Sequence, residues 1–389
     1  MNMIYLDNSA TTPLSDAVKE AIRETMENYG NPSSLHALGL TAENVVTKAR
    51  RQIAAALGVR NPAPGQLIFT ACGTEANNTA IFGTVYAKAR RDATRIVTTD
   101  SEHPSVENAL QKLEKDGFEI VRVSTRNGVL DQEAAIAALG EKTLLVTMMM
   151  VNNETGARYD IEPIFREAKR RNPNTVTHCD AVQGFLKCRF TAQSLGADLI
   201  SISGHKIHAP KGVGALYIDP ALIKAKKIVP YLIGGGQESG LRSGTENTIG
   251  IAAFGAAAED GFRHLDEHLV HMSELRNYAI NRLREAGFVL NLPAGECAPH
   301  IVNLQLPAIK SETMLHFLSN LGICVSSGSA CSSHAKHTSP SLASFGLTVA
   351  QADSSLRVSL SPYNTRKDID TLLEALTRGA LTLVRMRRR

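Results

Sequence analysis

The sequence predicts an α/β fold: a large domain built on a mainly parallel seven-stranded sheet, followed by a smaller α/β C-terminal domain. Three observations carry the prediction. Over the first ~250 residues, short β-rich apolar runs alternate with stretches of helical periodicity, the pattern of a parallel sheet with crossover helices. The chain, at 389 residues, exceeds the size at which a single core stops growing. Near residue 262 the pattern then changes to one long amphipathic stretch, as at a domain boundary.

In order along the chain, Ser15 is placed to cap a helix whose Val18, Ala21, Ile22, Thr25 and Met26 share a face. Thr41 is placed to begin a second, carrying Val45, Val46, Ala49, Ile53 and Leu57. Strands are expected at 67–70, 96–99, 120–123, 144–147, 175–178, 199–202 and 215–218. Leu265, Leu269, Met272, Leu275 and Leu283 mark the long helix; strands at 301–304, 323–325 and 356–359 and helices at 311–321 and 365–376 follow. Residues 15–261 would form the large domain, with 1–14 and 262–389 the small one. The stretch 326–344, rich in Ser, Ala and His, reads as a mobile loop.

Composition excludes several classes. No run approaches the ~18 apolar residues of a membrane span, and the N-terminus lacks a basic and apolar leader, so a cytoplasmic protein is the expectation. A net charge of +4 argues against a dedicated nucleic-acid binder, and Arg385, Arg387, Arg388 and Arg389 read as a solvated tail. Six cysteines, Cys72, Cys179, Cys188, Cys297, Cys324 and Cys331, are too scattered for a disulfide framework and are expected to be reduced.

Polar clusters fall at the carboxyl ends of expected strands, where open α/β sheets bind ligands. They are Gly73-Thr74-Glu75, His103, Asn152-Asn153-Glu154, Asp180 and Ser203-Gly204-His205-Lys206, and together they imply one site. Backbone N–H groups at Gly73 and Thr74 can hold a phosphate at a helix N-terminus; the alternative is a plain Thr helix cap with a Gly turn. Neither a dinucleotide fingerprint nor a P-loop occurs, and Gly234-Gly235-Gly236-Gln237 reads as a bent connection. A partly buried Lys206 amine suits Schiff-base chemistry, and Asp180 offers a carboxylate for a pyridinium nitrogen. His103 offers a flat face and a proton shuttle titrating near neutrality. Phosphate cradle, lysine, carboxylate and imidazole together point to pyridoxal 5'-phosphate.

Cys331 lies in Ser326-Ser327-Gly328-Ser329-Ala330-Cys331-Ser332-Ser333-His334, too polar to be core, and is available as a nucleophile. Cys331, His334 and His337 share a spacing that could ligate a metal, though three ligands on a loop fall short of a structural zinc site, and His205-x-x-His208 is weaker still. Arg357 can clamp a substrate carboxylate or form a surface salt bridge.

These residues sit in motifs that closely resemble the cysteine desulfurases of the nitrogen-fixation and housekeeping iron–sulfur assembly class, fold type I enzymes. The motifs are Tyr5-Leu6-Asp7-Asn8-Ser9-Ala10-Thr11-Thr12, Gly30-Asn31-Pro32-Ser33-Ser34-Leu35-His36, Thr74-Glu75-Ala76-Asn77-Asn78, Glu102-His103, Val151-Asn152-Asn153-Glu154-Thr155-Gly156 and His178-Cys179-Asp180-Ala181-Val182-Gln183. Residues 201–206, Pro210-Lys211-Gly212-Val213-Gly214, residues 234–247, the Cys331 loop and Arg357-Val358-Ser359 complete them. The resemblance implies that Lys206 binds the cofactor covalently, Asp180 pairs with its ring nitrogen, Gln183 with its phenolic oxygen, and His103 stacks on it. Gly73, Thr74, Ser203 and His205 would hold its phosphate, with Thr245 completing the neighbouring subunit's phosphate site in a homodimer. Asn153, beside the cofactor, and Arg357 would take the carboxylate of L-cysteine. Cys331 would accept its sulfur as a persulfide, releasing alanine, for a sulfur-acceptor protein such as an iron–sulfur scaffold or a tRNA-thiolating enzyme. Ala209, Ser9 and Pro340 depart from the family pattern. The competing expectations are a selenocysteine lyase, a class V aminotransferase, or a non-enzymatic carrier using Cys331, His334 and His337.

Overall fold

All seven expected strands of the large sheet form. The computed structural model describes residues 3–88, 92–327 and 339–387. A two-residue strand, β1 (Ile4–Tyr5), precedes β2 (Leu67–Thr70), β3 (Arg95–Thr99), β4 (Glu119–Val123), β5 (Thr143–Met149), β6 (Val176–Asp180), β7 (Leu199–Ser203) and β8 (Gly214–Ile218). The large sheet runs β2-β8-β7-β6-β5-β3-β4. Its pairs are parallel except that β8 lies antiparallel between β7 and β2. Every residue of β2, β5, β6, β7 and β8 is buried, because helices cover both faces; this is why these strands read as short apolar and β-branched runs, with a few polar residues such as His178 and Asp180 of β6 buried among them. Edge strand β4 is polar, and its Glu119 pairs in register with Arg95 of β3, Nε to Oε2 2.9 Å.

Four helices of the first part position the site: α1 (Asp16–Met26), α2 (Ala37–Ala56), α3 (Gly73–Val85) and α4 (Pro104–Lys115). Ser15 caps α1 as expected, its Oγ accepting from the Val18 N–H. The second helix begins earlier than expected: His36, not Thr41, is its N-cap, and the Thr41 hydroxyl donates to the Ala37 carbonyl inside the helix. Leu38 and Leu40 of its first turn are exposed, so no apolar periodicity announced that turn. Gly39 is needed there, since a Cβ would lie 2.1 Å from the Ser34 carbonyl oxygen. One face of the sheet packs against α1, α2 and the helix Thr248–Arg263 through Val18, Val46, Ile53 and Phe254; the other packs against α3 and α4 through Ala80, Ile81, Val106 and Leu110.

A third core gathers Leu6 with Leu275, Leu283, Val302, Leu304, Met314, Leu356 and Leu372. Its antiparallel sheet has the order β12-β13-β10-β9, from β9 (Val289–Leu290), β10 (Ile301–Gln305), β12 (Ser326–Ser327) and β13 (Ser355–Ser359), while β11 (Ile323–Cys324) pairs parallel with β1. The strand expected at 323–325 thus ends at Cys324, and a separate strand, Ser326–Ser327, joins the other sheet. The long helix runs Leu265–Glu285, separated from its predecessor by His264.

The stretch 326–344 is not one continuous loop. Ser326 and Ser327 pair with Arg357 and Leu356, and Ser339 caps a helix, Pro340–Phe345. Its centre, with Cys331, His334 and His337, lies outside the described residues. The backbone at Arg385 and Arg387, expected in a tail, instead continues the helix Arg366–Arg387; Arg388 and Arg389 lie outside the described residues. No helix among the described residues is long and apolar enough to cross a membrane.

Candidate active site

The chain passes outward from β3 to the edge strand β4, then returns to β5 on the other side of β3 and continues through β6 to β7. This reversal opens a crevice at the strands' carboxyl ends. The cavity there, about 310 Å³, is lined by Gly73, Thr74, His103, Asn153, Asp180, Gln183, Ser203, His205, Lys206 and Arg357. Of the described residues given a cofactor-binding, substrate-binding or catalytic role from the sequence, all meet there except Thr245, which is exposed and elsewhere.

At one end of the cavity, α3 starts without a side-chain cap. Its N-cap is Cys72, which makes no capping hydrogen bond, so the reading of Thr74 as a helix cap does not hold. The first-turn N–H groups therefore face the cavity end with the helix dipole behind them. Ser203 Oγ is buried there with no hydrogen-bond partner among the described residues. A Cβ on Gly73 would come within 2.8 Å of Val182 Cγ2, so only glycine leaves this wall open. Burial pushes His205 down to about 4, with help from Lys206; the imidazole is neutral and offers an N–H, not a charge. Uncapped amides, an orphaned hydroxyl and a neutral imidazole suit a phosphate.

In the middle lies Asp180, buried at the end of β6. Its Oδ1 accepts from the Val182 N–H at 3.0 Å and its Oδ2 from Asn77 Nδ2 at 2.7 Å. Lys206, half-buried in the turn after β7, donates from Nζ to the carbonyls of Ser9 at 2.6 Å and Ala10 at 2.7 Å. Gln183 Nε2 donates to the same Ser9 carbonyl at 2.8 Å. Arg357 is buried, not on the surface: Nη2 bonds Asp7 Oδ1 at 2.8 Å and Nη1 the Asn153 carbonyl at 2.9 Å.

Three members of the expected clusters, Glu75, Asn152 and Glu154, point away. Glu75 pairs with Arg242, Nε to Oε1 2.6 Å, and accepts from the Ala71 N–H. Asn152 folds back on its own turn, Oδ1 accepting from the N–H groups of Glu154 and Thr155, while Glu154 is buried against Ser339 Oγ at 2.6 Å. Only Asn153 of that triplet reaches the cavity. Sequence reasoning assigned no role to Ser9, Ala10, Asn77, Ser105 and Cys72, all of which line it. Asp7, which holds Arg357, was likewise passed over. Ser9, Asn77 and Asp7 stood inside recognised motifs, which was the available signal. Among the other thiols, Cys179 and Cys188 are buried, and burial pushes both up, Cys188 to about 11, so neither is poised as a thiolate.

An α/β chain with an uncapped helix, a lysine and a buried carboxylate at one sheet crevice defines a class, and the comparisons give the family. Residues 4–372 match the model of the aminotransferase class-V family, and the chain belongs to that family, which is pyridoxal phosphate-dependent. It is 38% identical over 380 residues to the cysteine desulfurase of Trichormus azollae, covering 97% of this chain and 92% of that protein. A solved NifS-like protein superposes with a TM-score of 0.89 at 34% identity, covering 97% of this chain and 99% of the other. The structure of SspA in complex with cysteine superposes with a TM-score of 0.79 at 31% identity, covering 93% and 99%. The fold is that of the NifS-like, fold type I proteins.

Proposed function

We propose that this protein is a cysteine desulfurase that removes sulfur from L-cysteine, releases L-alanine and carries the sulfur on Cys331. The observation that carries this reading is the joint presence in one cavity of Lys206, Asp180, His103 and the open N-terminus of α3. The near full-length likeness to cysteine desulfurases supports the substrate.

Bound pyridoxal phosphate supplies an electron sink that weakens bonds at the substrate's α-carbon and, through it, the bond to sulfur. The protein's residues divide the remaining work. The amides of Gly73 and Thr74, with Ser203 and His205, hold the phosphate. Asp180 holds the ring nitrogen protonated, Gln183 bonds the phenolic oxygen, and Lys206 is the covalent attachment point. Arg357 and Asn153 orient the substrate carboxylate. The Cys331 thiolate forms a new S–S bond to the substrate sulfur while the carbon–sulfur bond breaks, its electron pair staying with the carbon fragment, which takes up a proton and leaves as alanine. A sulfur-acceptor protein then takes the terminal sulfur.

Thr245 lies apart from its own chain's cavity, as the reading of a homodimer with exchanged Thr245 residues requires. The third hydrophobic core supports a division into a large domain, 15–261, and a small domain, 1–14 with 262–389, that brings the nucleophile to the cavity. A free Cys331 requires a reducing compartment, the cytoplasm in this reading.

After incubation with L-cysteine, mass spectrometry is expected to find one extra sulfur on Cys331. Cys331→Ser is expected to keep the cofactor's visible absorbance and lose sulfide release. Sulfide release by that variant, or added sulfur mapping to Cys72 instead, would overturn the assignment of the nucleophile.

A further inference from the structure

The ring of His103 is held by two donors on one nitrogen. His103 is the N-cap of α4, and its Nδ1 accepts from the Ser105 backbone N–H at 3.1 Å. A backbone N–H can only donate, so Nδ1 must present its lone pair. The Ser105 hydroxyl lies 2.8 Å from the same nitrogen. That hydroxyl receives a hydrogen bond from Asn77 Nδ2 at 2.8 Å, which leaves its own proton directed at Nδ1. The other proton of the Asn77 amide goes to Asp180 Oδ2 at 2.7 Å. Asn77 and Ser105 are buried, so water does not compete for these bonds.

We propose that His103 works as a neutral imidazole whose Nε2–H is a fixed hydrogen-bond donor toward the cavity, and that Asn77 and Ser105 are the positioning residues that set this state. A proton on Nδ1 would oppose both donors, and the positive end of α4 opposes an imidazolium there. Two charged groups face the ring, Asp180 from β6, which favours the charged form, and Lys206 from the turn after β7, which disfavours it. Burial is the largest influence and lowers the ring's pKa.

The consequence corrects the expectation of a proton shuttle titrating near neutrality. A neutral ring with its hydrogen on Nε2 stabilises negative charge developing on a bound group but takes no proton from the substrate. Proton abstraction then falls to another group of the cavity. The same relay ties Asp180 and His103 into one frame, so the ring partner and the donor keep a fixed relation. The inference rests on the function proposed above for what occupies the cavity, whereas the protonation of the ring is a property of the protein alone.

Selective ¹⁵N-histidine labelling of the full chain, free and with cofactor bound, reads the ring directly, and His103→Gln assigns the signal by its loss. The expected result is a protonated Nε2 and an unprotonated Nδ1 throughout about pH 6 to 9. An Nδ1–H tautomer, or an imidazolium at pH 7, would overturn the proposal even if the protein proved to be a desulfurase. A clean Nε2–H spectrum in a protein that fails to release sulfide would leave it standing and sink the desulfurase reading instead. In Ser105→Ala the Nδ1 resonance is expected to move toward that of an imidazole nitrogen with fewer donors; an unmoved resonance refutes the hydroxyl's part. Finally, His103→Gln, which keeps an N–H donor but cannot act as a base, is expected to retain at least about tenfold more kcat/KM than His103→Leu. Equal loss in both variants refutes the donor role.

Discussion

Lys187 is 6% exposed, and its Nζ has no hydrogen-bond partner among the described residues. Burial, and secondarily the Lys206 ammonium, push its pKa down to about 7. His178 is equally buried but satisfied, bonding Thr147 Oγ1 at 2.8 Å and Ser201 Oγ at 2.9 Å as a neutral ring held down at about 3. The contrast separates a core polar residue that is satisfied from one that costs stability. The sign for Lys187 follows from a folded pKa below the unfolded value. The penalty is complete below about pH 7 and fades as pH rises toward about 10.4, where the unfolded lysine also loses its proton. Lys187→Met is therefore expected to stabilise the fold by roughly 2–4 kcal/mol at pH 7, with the gain shrinking at pH 10. Urea unfolding followed by circular dichroism suits a chain with no tryptophan; equal gains at both pH values would count against a charge effect. None of this was legible in the sequence, where Lys187 stood beside Leu186 and Cys188 with nothing to mark it as unpaired.

At the scale of elements, strands were more legible than helix starts. Strands covered on both faces are rich in apolar and β-branched residues, so these runs announced themselves, and the edge strand β4 was legible through its Ile120, Val121 and Val123. A helix start is set by a cap and one turn, and the exposed first turn of α2 carried no periodic signal. The start of α3 was legible as Gly73-Thr74 after a strand, but not the feature that matters, the lack of a side-chain cap at Cys72. Asn77 and Ser105 were hidden for a related reason: each lies within a helix, and only the packing of α3 against α4 brings them together. Gly73→Ala tests the element directly. Its Cβ would press on Val182 Cγ2 at 2.8 Å and on Ser203 Cβ at 3.3 Å, narrowing this end of the cavity while leaving helical backbone angles accessible. The variant is expected to fold with an unchanged helix signal and to lose pyridoxal phosphate at least about tenfold more readily on dialysis, read by visible absorbance. Retention equal to the parent would remove the α3 N-terminus from the site.

Across the whole molecule, the N-terminal segment joins the cores. β1 pairs with β11, Leu6 is buried in the third core, and the next residues cross to the cavity. There Asp7 meets Arg357, and the carbonyls of Ser9 and Ala10 receive Lys206. Asp7 and Arg357 are 350 residues apart in sequence, and Lys206 lies 197 residues from Ser9. No local pattern encodes contacts of that range, which is why Lys206, Asp180 and Arg357 could be named from the sequence while the groups that hold two of them could not. Arg357 is the sharper case, since its side chain is only 6% exposed and its carboxylate partner among the described residues is Asp7. Removing one charge of a buried pair leaves the other uncompensated, at a cost of about 3–5 kcal/mol when no polar contact remains. Asp7→Asn keeps the volume and an acceptor oxygen, so a smaller loss, about 2 kcal/mol, is expected. If Arg357 orients the substrate carboxylate, a guanidinium released from Asp7 is misdirected before any chemistry occurs. KM for L-cysteine should then rise severalfold while kcat falls less. A fall in kcat with KM unchanged would assign the Asp7–Arg357 pair to holding the two cores together rather than to orienting the substrate.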